Sequence, residues 1–284
     1  VRVSSSKGFE SLEAAFVRWA RDEVDVRAVI AVGSRARVEP PADEWSDLDI
    51  MVYTRAPDRL LESTDWLSQV GRVCIAMPGR TASGEPEILV MFDGGFDVDV
   101  VVGRIEDLAG MARDGRVPHG HLRGARVLVD KEGWAARTIP PSFGPPGSAD
   151  LDPSEFAALV AAFWYGAHYV AKQIRRGDLW VVKVRDAELK AVLLRMLEWH
   201  ARTTAPDVDT WHLGRYYWQW ADPRAVSALD GVFGHFDRDD SWRALMETAD
   251  LFAWLAIEVA DRLGMPYPTS TEVAVRRLID QLHG

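Results

Sequence analysis

The sequence predicts an α+β fold class: an N-terminal domain, residues 1–145, with a mixed β-sheet flanked by helices, and a C-terminal helical bundle domain, residues 146–284. Three observations carry this. The first half holds short β-branched and apolar runs of strand length, Val29–Val32, Ile50–Tyr53 and Val98–Val102 among them. Residues Pro140–Pro153, PPSFGPPGSADLDP, are dense in proline and glycine, which marks a linker. Beyond the linker, short runs give way to long helical periodicities.

In order along the chain, Ser11–Asp22 places Leu12, Ala15, Phe16 and Trp19 on one helix face, expected to pack on a sheet that starts at Val26. Val29–Val32 reads as a buried strand that stops at Gly33-Ser34. After a Pro-Pro loop, Asp47-Leu48-Asp49 runs into the strand Ile50–Tyr53. Asp58–Val70 predicts a helix burying Leu60, Leu61, Trp66 and Leu67. Strands follow at Val73–Ala76 and Glu87–Phe92, then Val98–Val102, a short helix over Asp107–Gly115 and a strand at Arg126–Asp130. In the second half, helices are expected from Ser154 to about Arg176, over Lys190–Arg202, and over Trp242–Leu263, the last stopped by Gly264 and Pro266. Most aromatic rings of this half, in the groups Phe163–Tyr169 and Trp211–Trp220, are expected in the core.

Composition narrows the function. The net charge of −10 disfavours a nucleic-acid binder, which would carry a basic face, and suits a cationic substrate. One cysteine, Cys74, excludes an internal disulfide and a cysteine-cluster metal site. No apolar run approaches membrane-spanning length, and the N-terminal stretch lacks the apolar core of a signal peptide, so a cytoplasmic protein without a membrane partner is expected. His119 and His121 lie two apart, but without a third ligand at suitable spacing a loop explains them better than a metal.

The chemistry concentrates between Val29 and Tyr53, VIAVGSRARVEPPADEWSDLDIMVY. Taken singly, a Gly-Ser after a strand is an ordinary turn, and an Asp-x-Asp is a solvated edge or a helix cap. Together they say more. Side chains alternate along a strand, so Asp47 and Asp49 point one way while Leu48 points the other. Carboxylates aimed at one spot repel and call for a hard divalent cation such as Mg²⁺. Asp99 adds a third carboxylate within Val98–Val102, where a buried charge is costly unless paired or metal-bound. Asp97 shares its strand face. Backbone N–H groups at the Gly-Ser turn form an anion nest, with Arg35 and Arg37 close behind, although Arg37 could equally pair with Asp43 or Glu44. Glu85 and Glu87 read as loop charges, with substrate ammonium contact as the other reading.

Gly33-Ser34, Asp47-Leu48-Asp49 and Asp99 together resemble the nucleotidyltransferase superfamily that includes DNA polymerase β. More narrowly, GSRAR…DEWSDLDIMVY resembles the aminoglycoside 6-adenylyltransferases, or streptomycin adenylyltransferases. The likeness continues through YVAKQIRRGDL (169–179), LLRMLEWH (193–200) and SWRALMETADLFAWLAIEVADRLGMPYP (241–268), and so covers most of the chain.

The resemblance implies an antibiotic-resistance enzyme that transfers AMP from ATP, with Mg²⁺, to the 6-hydroxyl of a streptomycin-type aminoglycoside and releases pyrophosphate. It implies that Asp47, Asp49 and Asp99 hold the metal and that Asp99 also serves as general base. Gly33, Ser34 and Arg35 would bind the nucleotide's outer phosphates. On the 169–176 pattern, Lys172 and Arg176, which share a helix face, would reach the triphosphate; a solvated basic face is the alternative. The helical domain would complete the nucleotide and acceptor sites, with Glu198, Asp207 and Asp209 as candidate acceptor contacts, and a monomer is expected. The other readings are a nucleotidyltransferase with a different small-molecule, protein or RNA acceptor, toxin-like or regulatory, and a catalytically dead binding module, which would have lost a carboxylate.

Overall fold

The computed structural model describes residues 6–37, 41–144, 152–210 and 212–284. Residues 38–40 of the expected Pro-Pro loop, the middle of the linker at 145–151, Trp211 and the side chain of His119 fall outside the described residues. The chain divides into two compact units, 1–146 and 147–284.

In the first unit, helix α1 (Ser6–Asp22) leads into strand β1 (Val26–Val32), and β2 (Leu48–Thr54) follows. Helix α2 (Pro57–Glu62) precedes the meander β3 (Val73–Arg80), β4 (Pro86–Phe92) and β5 (Phe96–Arg104). Helices α3 (Ile105–Asp114) and α4 (His119–Leu122) then bring the chain to β6 (Ala125–Asp130). The six strands form one mixed sheet in the order β3-β4-β5-β2-β1-β6. Only β2 and β5 run parallel; the other neighbours are antiparallel.

The β-branched runs occupy the middle of this sheet because both of its faces are covered there. On one face α1 delivers Phe9, Leu12, Phe16 and Trp19 onto Ile50, Val98 and Val100. Trp19 stacks on Trp66 with ring centroids 4.2 Å apart, and Phe16 meets Trp66 and Phe92 edge-on. On the other face a smaller cluster joins Ile30 and Tyr53 to Ile105 and Leu108 of α3. Neither cluster covers the start of β2 and β5 on that second face, where Asp49 and Asp99 lie.

The helix expected over Asp58–Val70 is two pieces, α2 and a 3-10 turn at Asp65–Gln69. Ser63 between them is extended (φ −136°, ψ 137°), and the side-chain oxygen of Ser63 accepts from the Asp65 N–H. Serine and threonine compete for backbone partners in this way, so the Ser63-Thr64 pair breaks a helix that the apolar spacing alone would continue.

The second unit is helical: α5 (Pro153–Arg176), α6 (Leu179–Thr204), α7 (Tyr217–Trp220), α8 (Pro223–Val232), α9 (Arg238–Leu263) and α10 (Thr269–His283). Asp152 caps α5 by accepting from the Ser154 N–H at 2.7 Å, with Pro153 at the first helical position, and Gly177 ends the helix at φ +80°. Asp237 and Gly264 bracket α9 in the same way. Phe163 and Phe252 stack at 3.6 Å in the core between α5 and α9. Helix α6 begins eleven residues before the expected Lys190, because Trp180, Val181 and Val184 are exposed and blur the amphipathic pattern of its first turns. Buried Lys190 donates to Asp186 at 2.6 Å and to Thr248 at 2.9 Å, so its charge is paired. No described helix is long and apolar enough to cross a membrane.

Candidate active site

The site begins where β1 stops. Gly33 turns the chain at φ +71°, and a β-carbon there would lie 2.4 Å from Asp49 Oδ2. Both the backbone conformation and the space therefore require glycine at this position. The turn is pinned from behind, since the Gly33 N–H donates to the Gly124 carbonyl at 3.0 Å. Gly124 itself adopts φ +135°, and a β-carbon on it would come within 2.6 Å of the Gly33 carbonyl oxygen. Ser34 and Arg35 follow in the short 3-10 turn Gly33–Ala36.

Asp49 stands opposite Val32 in the antiparallel β1–β2 pair and beside Asp99 in the parallel β2–β5 pair. In-register parallel pairing puts two same-face side chains on adjacent strands, about 5 Å apart. Asp47, two residues earlier, faces the same way from the mouth of β2. One carboxylate oxygen from each of Asp47, Asp49 and Asp99 lies within 4.8 Å of the others. Among the described residues this is the only grouping of three or more potential metal ligands. Asp97 stays exposed, paired with Met91 across β4–β5 and outside the triad.

The electrostatics match the geometry. Burial, then repulsion from Asp47, Asp99 and Glu87, pushes the Asp49 carboxyl up to about 7. Burial, then Asp47, Glu87 and Asp97, pushes Asp99 up to about 6. Without a cation the pair would be partly protonated near neutrality. A divalent ion removes that penalty, and the donor set fits one: three hard carboxylate oxygens close enough to share an ion whose Mg–O bonds are roughly 2.1 Å. Among the described residues no cysteine or histidine joins them.

One neighbour differs from its sequence reading and another keeps it. Glu87 is not a loop charge: it sits in β4, and its field reaches both Asp49 and Asp99. Burial and Glu85 push its own carboxyl upward. Glu85 is a loop charge, accepting from the Thr81 and Ser83 hydroxyls, which hold it low. The period-2 pattern of PEILVMF could have revealed Glu87, since it shares a face with Leu89 and Met91 on the strand beside Asp99. His121 is buried against the Thr138 carbonyl at 3.0 Å, and burial keeps it below its ordinary value, so it serves the packing of the α4 turn.

Arg35 turns its guanidinium toward main chain: Nε donates to the Ser46 and Asp47 carbonyls, each at 3.0 Å. In the helical unit, Lys172 is exposed on α5 with its ammonium 5.2 Å from the centre of the Tyr169 ring. Arg176, at the end of the same helix, pairs with Asp178 at 3.3 Å.

Clustered hard oxygen donors beside a glycine-serine turn fit a nucleotidyltransferase, in which a cation and a phosphate chain must meet. The family model described as streptomycin adenylyltransferase matches residues 9–282, and the chain belongs to that family. It is 22% identical over 274 residues to the aminoglycoside 6-adenylyltransferase of Bacillus subtilis (strain 168), covering 90% of this chain and 92% of that protein. It is likewise 22% identical over 282 residues to the protein of the same name from Campylobacter jejuni, covering 93% and 92%. The crystal structure of an aminoglycoside 6-adenyltransferase from Bacillus subtilis aligns over 96% of this chain and 97% of that one, at 15% identity and a TM-score of 0.46.

Proposed function

We propose that this enzyme transfers AMP from ATP to a hydroxyl of an aminoglycoside, the 6-hydroxyl of a streptomycin-type antibiotic, and acts as a monomer in the cytoplasm. The observation that carries the chemistry is the Asp47, Asp49 and Asp99 cluster, set within 4.8 Å beside the Gly33-Ser34 turn. The family match and the names of its relatives support the acceptor class.

Asp47, Asp49 and Asp99 would hold the divalent cation, Mg²⁺ in this reading. Bound there, it would neutralise phosphate charge and stabilise the departing pyrophosphate. Ser34 binds the outer phosphates through its backbone N–H and its hydroxyl, while Gly33, whose own N–H is held by the Gly124 carbonyl, gives the turn its shape. Lys172 and Arg176 are proposed as the helical unit's contribution to the same phosphates. Asp99 takes the proton of the acceptor hydroxyl as that oxygen bonds to the α-phosphorus, and the bond from phosphorus to pyrophosphate breaks. In the metal-free site, burial first and then the neighbouring carboxylates raise Asp99 to about 6, so this carboxyl can take up a proton near neutral pH. The excess of acidic residues, with a net charge of −10, favours a polycationic acceptor.

Pyrophosphate release from Mg-ATP, measured with streptomycin, other aminoglycosides, a lincosamide and no acceptor, tests this. Release that depends on streptomycin is expected. Release with another small acceptor alone would keep the transfer chemistry and move the substrate. Silence with every small molecule, while ATP still binds, would turn the reading toward a protein or RNA acceptor.

A further inference from the structure

Arg35 stands one residue beyond the Gly-Ser turn, where a phosphate contact would be the natural assignment, yet its hydrogen bonds lead elsewhere. Nε donates to the carbonyls of Ser46 and Asp47, and Nη2 donates to Ser46 and, at 3.3 Å, to Asp43. The loop so gripped is already folded on itself. Ser46 Oγ donates to Asp43 Oδ1 at 2.8 Å, the Trp45 N–H donates to the same oxygen at 3.0 Å, and Ser46 is buried. Arg35 therefore closes a preformed turn onto the end of β1. It holds the main chain of Asp47 and leaves that residue's carboxylate among the triad.

The far side of the guanidinium is held as firmly. Its carbon lies 3.6 Å from the centre of the buried Phe9 ring on α1, and Phe9 meets Phe96 edge-on at 5.0 Å. Phe96 opens β5, three residues before Asp99. One planar cation thus ties together α1, the Gly-Ser turn, the Asp47 loop and, through two rings, the strand carrying Asp99. A lysine could not do this, because a single ammonium cannot present a fork to several carbonyls while lying flat on a ring.

We propose that Arg35 is a positioning residue for the cation site, setting Asp47 against Asp49 and Asp99, and not a phosphate ligand. The proposal rests on the reading of Asp47 as a metal ligand. Groups that orient metal ligands typically govern affinity by about tenfold to a hundredfold.

The test uses Arg35→Lys, which keeps the charge and loses the fork, and Phe9→Leu, which keeps the fork and loses the stack. Mn²⁺ binding to the full chain without nucleotide is measured from the electron paramagnetic resonance signal of the free ion. Arg35→Lys is expected to bind Mn²⁺ about tenfold to a hundredfold more weakly. Phe9→Leu is expected to fall between it and wild type. At saturating metal, kcat of Arg35→Lys should drop while the nucleotide KM changes less than about threefold. The phosphate-ligand alternative predicts the reverse, wild-type Mn²⁺ binding with a raised nucleotide KM, and that pattern overturns the proposal. Wild-type protein that binds no Mn²⁺ would remove the metal reading and the proposal with it, whereas equal binding by wild type and Arg35→Lys removes the proposal alone.

Discussion

Replacing Asp49 with asparagine should stabilise the metal-free protein while destroying its cation site. The Asp49 carboxyl lies at about 7 against an ordinary value of 3.8, because burial and three neighbouring carboxylates disfavour its charge. A carboxyl raised on folding supports the fold when protonated. That support is complete below about pH 4 and is lost as pH rises through about 7. At pH 8 the ionised group therefore costs about 4 kcal/mol on the full shift. Asp49 is only half-buried, and solvent screening brings the expected figure to about 2 kcal/mol. For a unit of this size that corresponds to roughly 4–8 °C in Tm. Thermal unfolding in EDTA should thus show Asp49→Asn melting higher than wild type at pH 8, with the gap closing toward pH 4. Added Mg²⁺ should raise the wild-type Tm at pH 8 and leave the variant unmoved. A variant that melts at or below wild type at pH 8 in EDTA, or whose advantage persists undiminished at pH 4, would refute the reasoning that the cation offsets the burial of Asp49 and its repulsion by the neighbouring carboxylates.

Other perturbations probe different parts of the structure. Gly33→Ala forces a β-carbon to within 2.4 Å of Asp49 Oδ2 at φ +71°. It should cost about 1–3 kcal/mol by chemical denaturation and most of the pyrophosphate release. Asp99→Asn should lower turnover about 10²–10⁴-fold with the fold intact by circular dichroism, and near wild-type rates would exclude it as the base. Lys190→Met leaves Asp186 without its buried partner and should lower stability in urea by about 3–5 kcal/mol, leaving the first unit's Mn²⁺ affinity unchanged.

How much could be read in advance depends on the range over which each feature is determined. Strand composition and side-chain alternation are local, so β1, β2 and the shared face of Asp47 and Asp49 were legible in Val29–Tyr53. The Gly-Ser stop was legible too, although the second reason for its glycine, the nearness of Asp49, lies in another strand. The break at Ser63-Thr64 was missed because apolar spacing continues through it while the backbone partners change. The early start of α6 was missed because exposed Trp180 and Val184 give no amphipathic signal.

By itself, the sequence determined which residue types could do chemistry and on which strand face they stand, since both follow from neighbours in the chain. Asp97 and Asp99 share a face, and the valines flanking Asp99 favour it but do not decide which of the two meets Asp49. The parallel β2–β5 register does, by setting Asp99 beside Asp49 and leaving Asp97 at the exposed end. Glu87 acquired its field on the triad from the adjacency of β4, and Arg35 acquired its partners from a loop that folds back onto its turn. These are pairings between segments distant in sequence, and the relative position of distant segments is settled by packing and hydrogen-bond register, not by the residues immediately beside them.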